Sequence, residues 1–218
     1  MPDYDASRAH MIECQLRPNK VTDPRVIDAF GRIRRELFVP RKLRGVAYID
    51  EDLPLGNGRY LMQPMVLARL LQAAAIDPKE LVLLVGAGVA YDAAIAALLA
   101  RNVIALEKDE GLARAGRDAL VEHRIATVTY VEGPMPRGHR ARAPYDAILF
   151  GGAVTEVPEE IAAQLAEGGR LVAVVKPSAG IGRATLVTRT GGVIAHRVIF
   201  DAATPLLPGF EPKPGFVF

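Results

Sequence analysis

The chain has 218 residues, half of them hydrophobic, with 27 basic against 25 acidic side chains and a net charge of +2. That suffices for one sizeable α/β domain with a short appendage, and scattered, nearly balanced charge argues against a nucleic-acid partner. A lone cysteine, Cys14, excludes an internal disulfide and fits a reducing, cytoplasmic setting, with the thiol expected as a buried or half-buried bystander.

The opening MPDYDASRAH is polar and does not read as a signal peptide, and no apolar run reaches the roughly 18 residues that span a bilayer, so no membrane partner is expected. The first 70 residues read as helical. In DPRVIDAFGRI, Val26, Ile27, Phe30 and Ile33 fall at helical spacing, with Thr22 or Asp23 as cap and Pro24 at the first position. LFVP and AYIDEDLPLGNG are expected to be irregular, with turn residues Pro54, Gly56, Asn57 and Gly58. The acidic run Asp50, Glu51 and Asp52 reads as a solvated turn. QPMVLARLLQAAAI is a second helix, opened by Pro64.

From residue 80 the rhythm changes. Strands are predicted at 81–85, 102–106, 127–131, 145–150 and 170–175, with helices at 91–100, 110–123 and 157–165 between them. Each strand is apolar throughout, which implies a parallel sheet covered on both faces. Residues 184–200 are two β-rich runs around Gly191-Gly192, a hairpin signature. The expected fold is therefore α/β, a doubly wound Rossmann-like sheet that is mostly parallel and finished by an antiparallel hairpin, the arrangement of class I methyltransferases. An N-terminal helical segment, 1–78, would pack on a core of 79–218. The tail PLLPGFEPKPGFVF is expected along the surface, anchored by Phe210, Phe216 and Phe218.

In such a sheet ligands bind beyond the carboxyl ends of the strands. The stretch LLVGAGVAYDAA runs from a strand through Gly86 and Gly88 into a helix. Glu107 ends the next strand, 19 residues after Gly88 (107 − 88), near the spacing at which an acid accepts from ribose hydroxyls. The bland alternative is that the glycines only turn the chain. NAD is the rival ligand for this pattern. The terminal hairpin and the lack of a separate substrate domain favour S-adenosylmethionine. His10, His123, His139 and His196 are dispersed without metal spacing, so no metal is expected, and the basic cluster RGHRAR (137–142) reads as a solvated loop.

Several blocks together are more specific. MIECQLRPNKVTDPRVIDAFGRIRRELFVP, AYIDEDLPLGNGRYLMQPMVLARLL, APYDAILFGGA and VPEEIAAQLAEGGRLV resemble the protein-L-isoaspartate O-methyltransferases over residues 7 to 200. The resemblance implies S-adenosylmethionine as methyl donor and the stray carboxylate of isoaspartate in a damaged protein as acceptor. A carboxylate is already ionised at pH 7, so positioning rather than a strong base would supply the catalysis. The implied cofactor residues are Gly86, Ala87, Gly88, Tyr91, Glu107, Lys108, Gly133 and Pro134; the implied catalytic block is Met62 and Gln63.

The sequence departs from the family pattern at four of these places. Met62 stands where the family has a hydroxyl that helps hold the acceptor, and a thioether cannot donate a hydrogen bond. Leu84 replaces an acid at the end of the first strand, Ala90 replaces a third glycine, which reads as a mild change, and Pro134 replaces an aspartate expected to accept from the adenine amine. Leu84 and Pro134 each remove a polar partner, at roughly 1–3 kcal/mol apiece. These departures keep open a second reading, a weak or silent homologue serving as a binding or regulatory module, and a third, a methyltransferase with another acceptor.

Overall fold

The computed structural model describes residues 3–178 and 180–212. Two of the expected tail anchors, Phe216 and Phe218, lie outside the described residues. Helix α1 spans Tyr4–Met11, capped by the Asp3 carboxylate, and passes through a π-helical stretch, Ile12–Leu16, into a 3-10 turn. Cys14, on that stretch, is exposed, with its sulfur 3.6 Å from His10 Nδ1, rather than buried or half-buried as expected. The reason is periodic: Met11 and Leu16 take the core-facing positions of this segment.

Helix α2 spans Pro24–Arg32, with Asp23 as the N-cap and Val26, Ala29 and Phe30 buried. Residues 53–61, expected to be irregular, form a small antiparallel hairpin instead, β1 (Leu53–Gly56) and β2 (Arg59–Leu61). Strands of four and three residues, one containing Pro54, carry too little periodic signal to stand out. Helix α3, Pro64–Ala74, follows. The acidic run is not a free turn: Asp50 accepts from the Met65 N–H (3.1 Å) and Asp52 from the Gln63 N–H (3.1 Å), serving an α3 N-terminus whose own cap residue offers no side chain.

The main sheet has seven strands in the order β5-β4-β3-β6-β7-β8-β9. β3 (Leu81–Val85), β4 (Asn102–Glu107), β5 (Val128–Glu132), β6 (Tyr145–Val154) and β7 (Leu165–Val175) are parallel, and β8 (Arg183–Thr190) and β9 (Val193–Asp201) complete it antiparallel. Helices α4 (Tyr91–Ala97), α5 (Glu110–Glu122) and α6 (Glu159–Ala162) lie in the crossovers. Every residue of α4 from Tyr91 to Ala96 is buried, as its lack of a polar face requires. β6 runs four residues past its predicted end (150 to 154) because the tail pairs with it: Ala153 N–H donates to Pro205 O (2.9 Å) and Leu207 N–H to Ala153 O (2.8 Å). α6 is shorter than predicted, bounded by Pro158 in extended backbone and by Leu165, which joins β7.

Strand order reverses about β3, whose neighbours are β4 and β6. The crevice that this reversal opens at the carboxyl ends of the strands is where the glycine turn, Glu107 and Gly151-Gly152 meet. Gly151 is needed there, since a Cβ would lie 2.2 Å from the Gly86 carbonyl oxygen.

Candidate functional site

The turn after β3 takes φ of +78° at Gly86 and +51° at Gly88, conformations that glycine adopts freely. Ala90, in the third-glycine position, takes φ +68° and caps α4. A left-handed alanine costs about 1–2 kcal/mol, so this replacement is not the mild one the sequence suggested. The turn spends its polar groups internally. Gly86 and Ala87 N–H both donate to Leu106 O (2.9 and 3.1 Å), and the Gly88 carbonyl accepts from Tyr130 Oη (2.9 Å).

Glu107 sits at the end of β4, as predicted, but is almost wholly buried. Its Oε1 accepts from the N–H groups of Lys108 (2.9 Å) and Asp109 (3.0 Å), and its Oε2 from Gly88 N–H (2.6 Å). Both oxygens also accept from Arg59 Nη1, at 3.0 and 2.8 Å. A carboxylate offers about four acceptor sites, so Glu107 is saturated without any ribose. Arg59 Nη2 donates to the Gly86 carbonyl (2.7 Å), and Met135 Sδ lies 3.7 Å from Arg59 Nη1. Arg59 is 3 % exposed, a guanidinium held inside the crevice.

Apolar groups fill the rest. Cβ atoms added at Gly86 and Gly152 would each meet Leu207 of the tail at 2.8 Å, and one added at Gly88 would meet Leu55 of β1 at 3.5 Å. Phe210 packs edge-on against Phe150, centroids 5.5 Å apart, so the tail is partly buried rather than laid on the surface. On the far side of Glu107, only about 30 Å³ remains between Arg117, Tyr130 and Glu132. That holds a water, whereas ligand pockets need several hundred Å³. A broad cleft of about 910 Å³ lies instead off the ends of β6 and β7, lined by Thr155, Glu156, His196 and Phe210. As packed, the crevice does not fit an adenosyl ligand.

A buried polar cluster lies nearby. Arg35 donates from Nε to Ala47 O (2.7 Å) and from Nη2 to Met62 O (2.8 Å), with its guanidinium 4.7 Å from the Tyr91 ring centre. Arg35 Nη1, Arg59 Nε, Tyr91 Oη and Asp92 Oδ1 have no partner among the described residues. Burial pushes the Asp92 carboxyl up to about 6, against the pull of Arg35 and Arg59, and pushes the Tyr91 phenol up to about 12.

Gly86, Ala87, Gly88 and Glu107 are thus brought together at the crevice. Lys108 is exposed beside them, and Gly133 and Pro134 follow β5, with Pro134 exposed. Tyr91 is a core residue here, its ring edge-on to Phe30 and Phe38 at 6.2 and 5.5 Å. Met62 is buried too, so its thioether does not face an acceptor; it sits in the link between β2 and α3 with its side chain packed in the core. Gln63 points to the tail, Nε2 donating to Ala203 O (3.0 Å). Sequence reading missed Arg59, Asp92, Arg35 and Leu207. Arg59 left a signal: in Arg59-Tyr60-Leu61 the alternation buries residues 59 and 61 and exposes 60, and an arginine on the buried parity needs a buried acid.

A family model described as Protein-L-isoaspartate(D-aspartate) O-methyltransferase (PCMT) matches residues 6–200. The chain belongs to the protein-L-isoaspartate O-methyltransferase family. A relative of that name from Methylorubrum populi is 42% identical over 176 residues, 81% of this chain and 82% of its own. One from Methanoculleus marisnigri is 38% identical over 186 residues, covering 85% and 84%. A solved structure from Plasmodium falciparum, described as a beta-aspartate methyltransferase (PCMT) in complex with S-adenosyl-L-homocysteine, superposes with a TM-score of 0.78 at 18% identity, covering 95% of this chain and 99% of that one. At that identity it supports the class I methyltransferase fold alone. No helix among the described residues is long and apolar enough to cross a membrane.

Proposed function

We propose that this chain performs its family's reaction, methyl transfer from S-adenosylmethionine to a carboxylate, with isoaspartyl residues of damaged proteins as acceptor. The observation that carries the reading is the family match over residues 6–200, laid over a sheet that sets a glycine turn and Glu107 at the strand-order reversal. S-adenosylmethionine supplies a methyl group on a cationic sulfur. Were it bound, Glu107 would accept from its ribose and the Gly86 carbonyl from its ammonium, but only with Arg59 withdrawn from both. The acceptor side would lie toward Asp52, Gln63 and Thr204, where Thr204 Oγ1 donates to Asp52 (2.9 Å). The buried Met62 gives no hydroxyl there, so backbone and tail groups take over the orienting role. Action in the cytoplasm, on proteins rather than nucleic acids or membranes, goes with this reading.

The test is transfer of labelled methyl from S-adenosylmethionine to an isoaspartyl peptide and to its aspartyl twin. Base-labile label on the isoaspartyl peptide alone is expected. Label on neither, at millimolar donor with folded protein, overturns the reading; equal label on both removes isoaspartate as the preferred acceptor.

A further inference from the structure

We infer that the β1–β2 hairpin is an autoinhibitory arm: Arg59 occupies the nucleotide crevice as an internal ligand, and the cofactor binds only when this arm withdraws. The inference rests on the proposed function, since it is the family's cofactor that Arg59 excludes.

The chemistry of the contact is substitution. An adenosyl amino acid brings ribose hydroxyls, which donate to an acid, and an ammonium, which donates to carbonyls. Arg59 serves the same two acceptors with one guanidinium, Nη1 on both oxygens of Glu107 and Nη2 on the Gly86 carbonyl. Glu107 has no capacity left while Arg59 is there, and the Gly86 carbonyl is already engaged and covered by the guanidinium. Its Nε is unpartnered, so the guanidinium is seated by the crevice's acceptors and not by a shell of its own.

The arm is built to be separable. It is short, and its turn runs through three successive residues at positive φ, Gly56 (+98°), Asn57 (+50°) and Gly58 (+70°). A Cβ at Gly56 would meet nothing within 4 Å, so the tip stands free. Its polar clip is Asn57 Nδ2 donating to Asp109 Oδ2 (2.7 Å) at the N-terminus of α5. Leu55 leans on Gly88 and Pro208 on Gly58, so arm and tail close the crevice jointly. A contact that must break before binding lowers the apparent affinity by the fraction of open molecules.

The experiment is calorimetric titration with S-adenosylhomocysteine of the full chain and of two variants, Arg59→Ala and Asn57→Ala, each checked for folding by circular dichroism. Arg59→Ala should bind at least about tenfold more tightly than the parent, and Asn57→Ala by a smaller factor in the same direction. If Arg59→Ala does not fold, the exposed Asn57→Ala decides alone. Equal affinity in the parent and the folded variants overturns the arm and leaves the proposed function standing. No binding by the parent or any folded variant overturns both, because the crevice is then unable to take the nucleotide whether or not Arg59 is present.

Discussion

The crevice and the arm that fills it are made in different ways. The crevice belongs to the sheet: Val85, Glu107 and Gly151 reach it at the ends of parallel strands whose side chains are buried on both faces. The arm is a hairpin of two short strands whose base is anchored by the buried Leu53 and Leu61 and whose tip is held by a guanidinium, one amide clip and the Leu55 and Pro208 contacts. Apolar burial over many residues sets the first, and a few polar bonds between residues 27 to 52 apart set the tip of the second. Continuous packing makes a rigid frame, whereas a segment held by a few contacts opens at lower cost. A nucleotide site closed by such a segment is gated rather than lost.

Four substitutions sharpen this contrast, in falling order of effect. Glu107→Gln strands a buried guanidinium in the crevice and should cost about 3–5 kcal/mol in urea unfolding; a cost near zero would mean that the pair does not hold the closed form. Met62→Ser, which restores the family's hydroxyl chemistry, should cost about 2–4 kcal/mol because the side chain lies in the core. Its methyl transfer should not rise, and a gain in turnover would place residue 62 at the acceptor after all.

Asp92 tests the frame beneath the crevice. Its carboxyl, raised to about 6 by burial, binds a proton more tightly in the folded protein than in the unfolded chain. Its contribution is therefore fully present below about pH 4 and is lost as pH rises through about 6. The loss is on the order of 3 kcal/mol. Asp92→Asn should match the parent at pH 4 and exceed it in stability at pH 7, and parallel pH curves would contradict the assignment. The smallest effect is expected for Tyr130→Phe, which removes the bond to the Gly88 carbonyl at about 1 kcal/mol. It leaves the ring, whose hydroxyl passes over Gly116 so closely that a Cβ there would lie 2.0 Å from it.

The contrast also explains what could be read from the residues alone. The parallel strands, the terminal hairpin, the glycine turn and Glu107 were legible, because each is a run of apolar residues or a spacing along a single unit. The fate of Glu107 was not legible. Its partner, Arg59, shows only a three-residue alternation that names no partner, and only the tertiary fold joins the two. Met62 and Tyr91 illustrate the opposite error. Family position suggested a site, but Met62, in the link from β2 to α3, and Tyr91, on α4, are both packed into the core. The acidic run at Asp50 to Asp52 read as solvated because the helix it caps starts more than ten residues later.

The central claim is that Arg59 and Glu107 hold each other inside the crevice, and a double-mutant cycle in urea measures this directly. Arg59→Met and Glu107→Gln should each be strongly destabilising, while the double variant should fall short of their sum by at least about 2 kcal/mol, since no lone charge is then left buried. Strictly additive losses would show that the two side chains do not meet, and the closed crevice would have to be abandoned.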